Sequence, residues 1–293
     1  MDGDNYNRKG LFGICVLLVF TAALSFSIRI GASGAIKAAL LDGPAPLHSG
    51  EMIAAALGNA FLGFALSLLV ISPLLDLIGA KRVVLFSCAC FIVGPLLILA
   101  SPNMSGIDAV YGMLTLGMVV CGFAWGAMEG SVNPVTAALY PDDKTHRLNQ
   151  LHAWWPAGII AGGLASLVVF QQFQLGWQAA IALIPLPALA CGAWALTQDF
   201  PKTESTAMGV PFKEMLAEPF KRPGFWIFPA IMFLTASAEL APGSWVDVAL
   251  SQTVGMPGIL VLVYVSAIMF VMRHFAGPLE RRFSDIGLLW FCT

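Results

Sequence analysis

Long apolar stretches divided by short polar breaks organise this chain from end to end. They fall at about 11–31, 51–75, 82–100, 108–139, 149–172, 177–198, 223–247 and 256–279. A helix that crosses a bilayer needs roughly 20 apolar residues, so each stretch predicts one crossing. A ninth begins near Asp285 and is cut off at Thr293. The pattern predicts an all-α, polytopic membrane protein. Residues 1–198 make a six-helix half, 199–222 a polar connector, and 223–293 two spans and the start of a third. Composition agrees: 58% of residues are hydrophobic and 11% charged, against roughly 25% charged in water-soluble domains. Mean hydropathy is +0.81. Lipid has to cover most of such a surface.

Charge fixes the expected orientation. With the N-terminus inside, thirteen of the fifteen Lys and Arg fall on the cytoplasmic side, from Arg8 and Lys9 to Arg281 and Arg282. The two exceptions are Arg29 and Lys37, at or beyond the outer part of span one. This asymmetry is that of inner-membrane proteins. The connector carries mixed charge and an amphipathic piece at 212–220. Arg8 and Lys9 ahead of an apolar run also resemble a signal peptide, but the many spans that follow favour an uncleaved first helix. A net charge of −2 gives no sign of nucleic-acid binding. Six cysteines, all but Cys292 inside apolar runs, and four scattered histidines lack metal-ligand spacing, and no cofactor is expected.

Between spans two and three stands SPLLDLIGAKR, residues 72–82, and its design returns as GPLERRFSDIG at 277–287. Two six-helix halves with a charged hinge in each resemble the major facilitator superfamily, whose hinge reads G-x-x-x-D-R-x-G-R-R/K. Asp76, Gly79, Lys81 and Arg82 match; Ser72 replaces the first glycine and Leu77 the arginine. Gly79 permits a tight turn. Asp76 is placed to pair with a cation of the other half, a contact that forms in one conformation and breaks in another. Arg281 and Arg282 belong to the matching hinge of the second half. Alternatively, Lys81 and Arg82 merely hold the loop inside. The resemblance implies twelve spans, so this chain reads as truncated within its ninth.

A closer likeness lies at 129–158, EGSVNPVTAALYPDDKTHRLNQLHAWWPAG. Its E-x-x-x-N-P, acidic proline loop and R-L-N resemble the sugar–proton symporters around L-fucose permease. That implies a proton-coupling and sugar-binding role for Glu129. The family's span-one carboxylate has no counterpart here; span one offers Arg29 instead.

An ionisable side chain at bilayer depth costs at least ~2.5–3.5 kcal/mol on insertion scales. Glu129 lies about 18 Å above Pro141, near midplane. Asn133 is one turn below it, and Gly122, Gly126 and Gly130 form a small-residue seam for a neighbouring helix. Pro134 frees the Gly130 carbonyl. His152 lies low in span five with Asn149 and Pro156 on its face. Trp154 and Trp155 follow, either as interface anchors or as a platform for a sugar ring. Arg29, about 27 Å along span one, faces Glu239, about 26 Å along span seven, or, less well matched in depth, Glu129. Its guanidinium suits a carboxylate or a polyhydroxyl solute. The expected function is alternating-access symport of a small polar solute, a sugar or sugar acid, with a proton, by a monomer in the bilayer. A membrane enzyme using Glu129 and His152, or a non-transporting sensor, are the rivals.

Overall fold

The computed structural model describes residues 6–203, 206, 208–254 and 258–273, with the backbone alone at 171 and 239–254. No strand occurs among them. Six crossings are long and apolar enough to span a membrane. They are α1 (Arg8–Leu40), α2 (Ser49–Ile78), α3 (Ala80–Ala100), α4 (Ile107–Leu139), α5 with α6 (Lys144–His152, Trp154–Leu167), and α7 with α8 (Trp177–Ile181, Pro185–Leu196). In the connector stands α9 (Phe212–Ala217), followed by α10 (Pro223–Val254) and α11 (Ile259–Arg273).

Spans two, three and four end within a few residues of expectation. Gly79 sets the α2–α3 boundary with φ 88° and ψ 136°, a backbone conformation open to glycine alone at little cost. Span one runs nine residues beyond the predicted 31, to Leu40. The cations at Arg29 and Lys37 do not end the helix, because Arg29 is buried in the bundle and Lys37 reaches Asp42 past the helix end, 2.7 Å away. Spans five and six are broken rather than continuous. Span five turns at Ala153 and closes in a π turn at Val168–Gln172. Span six is interrupted ahead of Pro185. Prolines withhold an N–H from the preceding turn, and Pro156, Pro185 and Pro187 lie at these breaks.

Small residues bring three helix pairs into backbone contact. A Cβ on Gly122 or Gly126 of α4 would strike the α2 backbone at Ala60 and Phe64, and one on Gly63 of α2 would strike Val119. Gly158 and Gly162 of α6 sit likewise on α1 at Phe20 and Leu24, and Gly94 of α3 on α4 at Cys121. Buried serines then donate to carbonyls across each seam: Ser67 to Phe123 at 2.9 Å, Ser27 to Ile159 at 2.9 Å, and Ser87 to Ala124 at 2.6 Å. Between apolar helices in lipid, close packing and such hydrogen bonds supply the attraction that the hydrophobic effect does not.

The outer faces are apolar. Leu62, Leu66, Leu69 and Val70 of α2 are exposed, as are Trp226, Phe228, Phe233 and Leu234 of α10. Such a surface belongs against lipid or another helix. α11 packs on α1 and α6, with Ile259 beside Gly31 and Val263 beside Gly163. The ninth span, Arg281, Arg282 and the side chain of Glu239 lie outside the described residues.

Candidate functional site

Glu129 and Asn133 are four residues apart on α4, and so stand one above the other on one face. The Asn133 amide donates to Glu129 Oε1 at 3.0 Å. Its Oδ1 lies 2.9 Å from His152 Nε2 on α5. An amide oxygen only accepts, so Nε2 carries the proton in this arrangement. All three residues are half-buried. One asparagine thus bridges the carboxylate of span four to the histidine of span five.

The bridge continues through the backbone. Pro156 has no N–H for the His152 carbonyl four residues earlier. Arg273, the last residue of α11, donates to that carbonyl from Nη1 at 3.3 Å. Asn149 does not join this group: its side chain is exposed and makes no hydrogen bond among the described residues.

Trp154 and Trp155 part company. Trp154 is 39% exposed, whereas Trp155 turns inward and stacks on Trp125, with centroids 5.0 Å apart and planes at 24°. Phe26, Phe61 and Phe64 surround Trp125 at 4.5–5.8 Å. Sequence reasoning singled out Trp155 but passed over its aromatic partners, although Trp125 lies four residues before Glu129 and Phe26 three before Arg29, both same-face spacings.

Arg29 is 3% exposed. Its Nε donates to Ser25 O at 3.2 Å and its Nη1 lies 3.8 Å from Met118 Sδ. No carboxylate is within ion-pair distance among the described side chains. Met118 precedes Glu129 by eleven residues, about 16 Å along α4, so Arg29 is not paired with Glu129. Arg29 lines a cavity of about 20 Å³ with Phe26, Ile30, Leu57, Ala60, Phe61 and Trp125.

At the hinge, Asp76 accepts a hydrogen bond from Thr203 of the connector. Lys81 donates from Nζ to Leu196 O, 3.0 Å, at the end of α8, and Arg82 from Nη1 to Ile78 O, 3.3 Å. A cavity of about 470 Å³, lined by Asp76, Lys81, Arg82, Phe200 and Thr203 among others, opens between hinge and connector. The hinge is thus laced to the connector and to span six.

The sequence profile of the Major Facilitator Superfamily matches residues 5–293. The chain belongs to that superfamily. Three relatives accompany the match. A Bacillus subtilis (strain 168) protein with a provisional niacin/nicotinamide transporter name is 30% identical over 150 residues, 49% of this chain and 34% of that protein. The glucose transporter GlcP of Staphylococcus epidermidis is 26% identical over 173 residues, 57% of this chain and 36% of its own length. A gentisate transporter of Corynebacterium glutamicum is 28% identical over 214 residues, 67% of this chain and 45% of its own. The chain thus covers less than half the length of each relative. All three names are those of transporters, which points away from the enzyme reading. Multi-pass membrane insertion follows from the family and the six apolar crossings.

Proposed function

We propose that the chain belongs to a secondary transporter that carries a small polar solute through the inner membrane by alternating access, in symport with protons. The N-terminus is cytoplasmic, residues 1–198 form the first half, and 223–293 open the second. The relatives' names cover glucose, gentisate and niacin or nicotinamide. The likeness of 129–158 to L-fucose permease favours a sugar or sugar acid.

The bridge from Glu129 through Asn133 to His152 is the observation that carries this reading. Proton uptake on Glu129 removes the negative charge that the Asn133 amide answers. That releases Asn133, and with it the seat of His152 on span five. Span five is held to span eight through the His152 carbonyl and Arg273. A change in charge at midplane therefore biases a contact between the first six spans and the eighth, which is the differential energy a two-state transporter needs.

The test is uptake into proteoliposomes under an imposed proton gradient. Glu129→Gln should abolish gradient-driven accumulation while the protein inserts normally and still exchanges solute at equilibrium. Accumulation at the wild-type level would remove Glu129 from coupling.

A further inference from the structure

Arg29 is buried and makes no ion pair with the described side chains. A guanidinium has five N–H donors, and two are accounted for here, one of them on the weak acceptor Met118 Sδ. Beside it, the buried Ser25 hydroxyl has no hydrogen-bond partner. A buried cation with no anion among the described side chains is costly, and a visiting anion would relieve that cost. Arg29 lines a cavity whose other walls are all apolar, three of them the rings of Phe26, Phe61 and Trp125.

We propose that this pocket binds an aromatic carboxylate, with the carboxylate forked onto Arg29 and the ring against Phe61 and Trp125. The fork geometry of a guanidinium matches a carboxylate through two parallel hydrogen bonds. The walls choose the rest of the molecule. A sugar ring would leave several hydroxyls facing hydrocarbon without partners, and each such loss is expensive. A flat apolar ring loses nothing there and gains offset or edge contacts with the rings present. In its present closed form the cavity admits about one water. Phe61, only half-buried, is the wall that has to swing for a ring to enter. This rests on the transport reading for its biological use and departs from its preference for a sugar, but the binding event itself needs no transport.

The experiment is equilibrium binding of radiolabelled benzoate to the full chain in liposomes, with unlabelled competitors. Cyclohexanecarboxylate keeps the charge without the aromatic ring, benzyl alcohol the ring without the charge, and glucuronate the charge on a sugar. Benzoate should bind, with benzyl alcohol and glucuronate at least tenfold weaker. Arg29→Gln should weaken benzoate at least tenfold, and Arg29→Lys by less. Phe61→Ala, which keeps the charge, should cost benzoate more affinity than cyclohexanecarboxylate. The proposal is overturned by absence of benzoate binding, by equal competition from glucuronate, by undiminished binding in Arg29→Gln, or by equal losses in Phe61→Ala. Failure of gradient-driven uptake alongside intact benzoate binding would count against the transport reading alone.

Discussion

Replacing Asn133 by leucine should uncouple span four from span five, and the size of the effect can be worked from its contacts. The amide makes one side-chain hydrogen bond to Glu129 at 3.0 Å and one to His152 at 2.9 Å. Hydrogen bonds between membrane helices average about 0.6 kcal/mol, with a maximum near 1.7. Only the bond to His152 joins two helices and carries that range; the bond to Glu129 lies within one helix and adds about 0.2–0.5 kcal/mol, for a total of about 0.8 to 2.2 kcal/mol. The loss should lower the melting temperature by several degrees, at about 2–4 °C per kcal/mol for a chain this large. A double-mutant cycle isolates each half of the bridge. Thermal melts in detergent would compare Asn133→Leu, His152→Gln and the pair, then Asn133→Leu, Glu129→Gln and the pair. The His152 cycle should return a coupling of at least ~0.5 kcal/mol, and the Glu129 cycle one of about 0.2–0.5 kcal/mol. Additive losses in both cycles would mean that no bridge exists, and the coupling mechanism built on it would fall with it.

Arg273→Ala removes the hydrogen bond from α11 to the His152 carbonyl, and under the alternating-access reading should shift the conformational equilibrium by roughly 3- to 20-fold, from about 0.6–1.7 kcal/mol. Thiol labelling of single cysteines introduced at residues 144–150, compared with and without the substitution, would read that shift. Asp42, outside the spans, has its carboxyl held below the usual range by hydrogen bonds from Lys37, first, and from Ser49. A lowered folded value contributes stability that is complete above the ordinary carboxylate pKa and lost as pH falls through the lowered one. Melting temperature should therefore drop as the medium is taken below about pH 4, and Lys37→Met should flatten that acid limb in a pH series of melts.

The long apolar runs made the crossings legible, because lipid leaves the chain few other choices. Helix ends were less so. Arg29 looked like the edge of span one, since a charge in lipid is costly, yet the cost is met inside a bundle and the helix runs on. The breaks at Ala153 and before Pro185 had their prolines in plain view, but a hydropathy window averages across them. Glu129 and Asn133 could be paired from spacing alone, because four residues make one turn. His152 could be placed near them only by the fold, which decides how α5 meets α4. The aromatic group was hidden for a different reason. Trp125 and Phe26 count as apolar residues in any span, and only packing tells a ring that lines a cavity from one that faces lipid.

The glycine seams carry a mechanical consequence. Where α4 meets α2 and α6 meets α1, main chain rests on main chain, with no side-chain cushion to deform. Those couples behave as stiff planks. Any reshaping of the bundle must take place along the softer borders between planks, where leucines and phenylalanines can change rotamer, and a chemical crosslink laid across a seam should be harmless where one laid across a border jams the machine.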